Sequence, residues 1–162
     1  KNVTFSYGLS KRMHDLAFSR GEKLAKAGEK LCEKTKDKVQ GPGLLRFTEH
    51  LTKAALFSCQ DCGDCSLSET AFLCPESQCA KNQRNGPCGG ARDGMCEVHD
   101  YECIWARAYD RMKFDGNEQK LLDHAPVFQN QALRGTSAWM NCWQGKDHIG
   151  LAKSGEDVAP SV

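Results

Sequence analysis

Apolar residues recur at helical spacing through the first quarter of the chain. Leu9, Met13, Leu16, Ala17, Leu24, Ala27 and Leu31 fall on one face among Lys, Arg and Glu, which predicts a helix from Ser10 to about Lys38. Gly21 and Gly28 weaken that pattern and are expected to break it into two pieces. A Gly-Pro-Gly turn at 41–43 follows. A second stripe, Leu44, Phe47, Leu51, Ala54 and Ala55, then predicts a helix that runs straight into a cysteine loop.

Residues 58–98 carry no sustained period of either kind. They hold Pro75, Pro87, Gly63, Gly89 and Gly90, and the turn dipeptides Asn85-Gly86 and Asp93-Gly94. Such a stretch buries little apolar area, so something other than a hydrophobic core must order it. A helix is predicted over about Tyr101 to Lys113, with Tyr101, Trp105, Ala108 and Met112 on one face. A polar turn from Phe114 to Asn117, a short helix near Glu118–Asp123 and an irregular Trp-bearing segment at 126–148 come next. The expected fold class is mainly α with a large irregular Cys-rich metal-cluster region, in one small domain. Its expected parts are N-terminal helices at 1–57, with a face for partner docking, a Cys-rich core at 58–113, an irregular segment at 114–150 and a mobile tail at 151–162.

Composition narrows the function classes. With 22 basic and 21 acidic residues in 162, no global field favours nucleic acid or anionic lipid, and no apolar run approaches a membrane span. The first residues lack an apolar signal core, and the chain is read as cytoplasmic. It does not begin with Met, which leaves excision from a longer protein open. The Gly-rich "GPCGGARDG" lacks the phosphate-cradling patterns.

Ten cysteines change the picture, because eight of them lie within 45 residues: Cys59, Cys62, Cys65, Cys74, Cys79, Cys88, Cys96 and Cys103. Cysteines three apart suit ligands converging on a metal centre better than they suit disulfides. Eight thiolates match two zinc sites or two four-iron clusters. The C-x-x-C-x-x-C triplet of Cys59, Cys62 and Cys65, with the remote dipeptide Cys74-Pro75, favours at least one [4Fe–4S] cluster over zinc alone. The working partition gives the triplet to one centre, completed by Cys74 or another remote cysteine. The remainder among Cys79, Cys88, Cys96 and Cys103 would hold a second centre. Gly63 is expected to let the loop backbone turn its N–H groups toward sulfur. Asp61 and Asp64 would disfavour an added electron, whereas Lys81, Arg84 and Arg92 would favour one, so the first centre is expected to have the lower potential. The competing expectation is that all five side chains point to solvent and are screened. Cys32 and Cys142 read as packing thiols, and His99 as the sole histidine lying among the cysteines.

"CQDCGDCSL", "FLCPESQCAKNQRNGPCGG", "DGMCEV" and "CIWARAY" together resemble the cysteine-rich methylenetetrahydrofolate reductase C-terminal domain, found also as the small partner subunit of two-subunit reductases. "NQALRGTSAWMNCWQGKDH" resembles the segment that follows it. The resemblance implies metal ligands at the eight clustered cysteines and a partner chain carrying FMN or FAD that interconverts methylene- and methyl-tetrahydrofolate. A (β/α)8 barrel needs about 200 residues or more, so flavin and folate are expected elsewhere. The implied role is transfer of electrons between a donor such as ferredoxin and the partner's flavin, with catalytic residues on the partner. The alternative is a structural zinc module that stabilises or regulates the reductase. The first helix or the Trp139–Trp143 segment is the expected docking face.

Overall fold

Helices account for nearly all the regular structure, and the fold follows from which of their faces are small enough to pack. The computed structural model describes residues 3–18, 23–34, 43–114, 116–124 and 126–154. Helices α1 (Val3–Phe18), α2 (Lys23–Lys34) and α3 (Gly43–Phe57) precede the cysteine loop. A single turn, α4 (Pro75–Gln78), lies within the Cys-rich region. Helix α5 (Ile104–Lys113), two 3-10 turns at Glu118–Leu121 and Gln131–Leu133, α6 (Ala138–Trp143) and α7 (His148–Ser154) complete the order. Among the described residues there is no β-strand, only isolated bridges pairing Arg92 with Met95 and Met95 with Glu102.

The chain forms two compact units, one of residues 1–11 and 66–126, the other of 12–65 and 127–162. In the first, α5 buries Ile104, Trp105, Ala108 and Met112 in a core with Leu67, Ala71, Phe72 and Leu73. Ala71 and Phe72 both adopt left-handed backbone, and the Arg111 guanidinium donates to both their carbonyls at 2.9 and 3.2 Å. Arg84, deep in the same unit, is held by Glu76 at 2.9 Å and by Ser66 Oγ at 3.0 Å.

In the second unit α2 packs against α6 through small residues. Ala25, Gly28 and Cys32 form its inner face, and a Cβ on Gly28 would lie 2.4 Å from the Trp143 ring. Trp143 also stacks on Phe18 with ring centroids 5.6 Å apart.

The structure revises several sequence expectations. The first helix ends at Phe18 and α2 begins at Lys23, while Gly28 lies inside α2, where close packing on Trp143 requires it. Leu9, Met13, Leu16, Leu24 and Ala27, expected to pack on the core or on a partner, are exposed. Helix α5 starts at Ile104, because Cys103 is its N-cap, and Tyr101 lies before it in the turn that closes on Cys96. The Trp-bearing segment contains α6. Helix α7 covers 151–154 of the stretch expected as a tail; 155–162, like the turn residues 41 and 42, lie outside the described residues.

Candidate metal centre

The eight clustered cysteines divide between the two units: Cys59, Cys62 and Cys65 in one, Cys74, Cys79, Cys88, Cys96 and Cys103 in the other. All are free thiols.

Four of them share a cleft. Cys79 ends the α4 turn, Cys88 follows the Asn85-Gly86-Pro87 turn, Cys96 sits beyond the Arg92–Met95 bridge and Cys103 caps α5. Their side chains line one cavity with almost wholly apolar walls, which include Tyr101 and Trp105. Short backbone turns point N–H groups at sulfur: Gln83 donates to Cys79 Sγ and Gly90 to Cys88 Sγ at 3.4 Å, and Val98 to Cys96 Sγ at 3.5 Å. Such donors fix the direction in which each sulfur points, as ligand sulfurs are fixed. The Cys96 and Cys79 thiols together with partial burial push the Tyr101 phenol up, with burial the larger cause. This donor set, soft sulfur with backbone N–H support and no competing disulfide, fits a thiolate-bound metal group. Among the described residues, no three His, Cys, Asp or Glu side chains converge closely enough to hold a single metal ion as they stand. Cys74, buried as the N-cap of α4, is not part of the cleft wall. His99 is exposed and stacks on Tyr101.

The triplet loop is built differently, by a clamp from the C-terminal segment. Ser58, Asp61 and Gly63 take left-handed backbone, so the loop coils and Asp61 N–H donates to Cys59 Sγ at 3.4 Å. Gly63 is obligatory there, since a Cβ would lie 1.7 Å from the Leu133 carbonyl oxygen. The Asn141 side chain donates to Gly63 O at 2.8 Å, and Gly135 N–H to Asp61 O at 2.9 Å. Asp64 is fully buried and accepts from Asn130 N–H at 2.9 Å, His148 N–H at 3.2 Å and His148 Nδ1 at 2.6 Å. Burial alone would raise its pKa, but these bonds hold the carboxyl below the usual range.

Helix α3 brings a second buried pair. Lys53 Nζ lies 3.0 Å from Glu49 Oε1, and Glu49 also accepts from Ser137 Oγ at 2.5 Å and from Trp139 N–H at 3.2 Å. Burial would lower the Lys53 pKa, yet the Cys65, Glu49 and Cys59 charges together raise it.

The chain matches the model of the family described as methylene-tetrahydrofolate reductase C terminal, over residues 44–131. This chain belongs to the methylene-tetrahydrofolate reductase C-terminal family. The family match therefore spans α3, the triplet, the cleft and α5, which are the elements that position all eight cysteines. No curated protein and no solved structure matches the chain significantly.

The charges expected to tune the two centres differ from the sequence reading. Asp61 is paired with Arg46 at 2.6 Å, Asp64 with His148, Arg84 with Glu76, and Lys81 with Glu97. Local partners pair four of the five, and Asp64 and Arg84 are buried, so full exposure to solvent does not describe the set. Sequence reading also missed Glu49, Lys53 and His148; His148 closes the segment "NQALRGTSAWMNCWQGKDH", whereas Glu49 and Lys53 sit in α3 with no motif around them. Trp139 and Trp143 face each other and Phe18 inside the unit, so that segment packs internally. Among the described residues, no helix is long and apolar enough to cross a membrane.

Proposed function

We propose that this chain is an iron–sulfur electron-transfer subunit working with a flavin-containing methylenetetrahydrofolate reductase. The observation that carries the reading is the cleft. Four cysteines from four separate turns line one apolar cavity, and three of them receive backbone N–H bonds. A tetrahedral zinc with Zn–S of 2.3 Å needs its sulfurs about 3.8 Å apart. Thiols that surround a cavity without closing on a point suit a group with several metal corners. When bound, such a group supplies one-electron storage and release.

The chain's own residues then have defined tasks. Cys79, Cys88, Cys96 and Cys103 hold one group, and Cys59, Cys62 and Cys65 contribute three thiolates to another. The N–H groups of Asp61, Gln83, Gly90 and Val98 spread negative charge from sulfur into the backbone. Trp105, fixed by its Nε1–H on Gln83 O at 3.2 Å, keeps water from one cleft wall. The donor is a small reduced redox protein of the ferredoxin class, and the acceptor is FMN or FAD on the reductase chain.

Anaerobic purification followed by iron, acid-labile sulfide and zinc analysis tests this. About eight irons with matching sulfide are expected, as is electron delivery from the reduced chain to the flavin of a co-purified reductase. A colourless protein with two zincs overturns the proposal and makes the chain a structural module.

A further inference from the structure

We infer that Lys53 is the fixed counter-charge of the Cys59–Cys62–Cys65 loop, a positioning residue that sets how firmly metal is held there and how readily an electron is accepted. The inference rests on the reading of the triplet as metal ligands.

Helix α3 delivers Lys53 to the loop: its carbonyl accepts the Cys59 N–H at 3.3 Å, so its backbone is joined to the first ligand. The side chain is 8% exposed. A positive charge so deeply buried acts through a lower effective dielectric than any surface charge. The other charges near the loop are tied off in pairs, Asp61 to Arg46 and Asp64 to His148. Glu49 holds the Lys53 ammonium at 3.0 Å and is itself fixed by Ser137 Oγ and Trp139 N–H, so the charge sits in one place. An added electron makes a thiolate-bound group more negative by one unit, and a nearby ammonium stabilises that state. A purely structural role is a poor account, since a buried Lys–Glu pair is seldom more stabilising than apolar residues of the same volume.

The test uses the full chain, purified anaerobically as wild type, Lys53→Met, Lys53→Arg and Glu49→Gln, with Cys62→Ala to assign the triplet's signal. In an EPR-monitored redox titration, Lys53→Met is expected to move the triplet potential to more negative values. Lys53→Arg should leave it at the wild-type value, and Glu49→Gln should move it the other way. Loss of metal to a chelator should be about 10–100-fold faster in Lys53→Met and unchanged in Lys53→Arg; this readout serves equally if the centre holds zinc. Should Lys53→Met not fold, the direction of the Glu49→Gln shift decides. Equal effects of Met and Arg, or no effect of Met and Gln, overturn the inference. Wild-type protein without metal at the triplet overturns the metal reading itself, and metal analysis distinguishes that failure from the others.

Discussion

Asp64 carries a concentrated polar load. It is wholly buried, and its two carboxylate oxygens satisfy one side chain and two backbone N–H groups drawn from residues 130 and 148. Removing one partner of such a pair strands the other, at a cost of about 3–5 kcal/mol. Asp64→Asn is therefore expected to lower unfolding free energy by about 3 kcal/mol in urea titrations. Its pH dependence has a definite sign. The folded carboxyl titrates below its unfolded value of about 3.9, so its stabilisation is fully present above that value. It is lost as pH falls through the lower, folded value. The wild-type advantage over Asp64→Asn should hold between pH 7 and 5 and shrink below about pH 4. An advantage independent of pH would show that Asp64 acts through shape alone.

At the scale of elements, helix α3 is turned inside out relative to its pattern. Its apolar stripe faces outward, with Leu44 75%, Phe47 63% and Leu51 57% exposed, while Glu49 and Lys53 are buried. Phe47→Ser should change stability by no more than about 0.5 kcal/mol, whereas Glu49→Ala, which strands Lys53, should cost about 3–5 kcal/mol. Chemical denaturation of both variants checks the orientation, and the reverse ranking would contradict it. Periodicity could locate this helix but not rotate it, because Glu49 is satisfied by Ser137, 88 residues away. The existence of α3, α5 and the 118–121 turn was legible from spacing and turn residues. The inner face of α2 was not, since Ala25 and Gly28 look weak until Trp143 fills the space above them. The cysteine spacing carries the proposed metal reading by itself. The polar residues that brace it have no period and no motif of their own.

At the scale of the whole molecule, residues 76–103 stand apart from the helical remainder. Arg84 is the only buried residue in that stretch, so apolar burial contributes little to its order, and on the proposed function metal–thiolate bonds supply the rest. Removing metal anaerobically should bring amide exchange in 79–103 close to unstructured rates. Protection in α3 and α6 should persist, because their contacts are apolar packing and buried ion pairs. Uniform loss of protection across the chain would instead mean that metal binding and the helical core fold as one unit.

The clamp on the triplet loop has a consequence in time. Asn141, which grips Gly63, follows it by 78 positions, and His148 is made later still. At about 5–20 residues per second, the ribosome leaves the loop without its clamp for roughly 4–16 s. Through that interval Cys59, Cys62 and Cys65 stand on an open coil, accessible to whatever delivers metal. Once the C-terminal segment arrives, the loop is fixed through Gly63 and Asp64, with Cys62 buried and Cys59 and Cys65 half-buried.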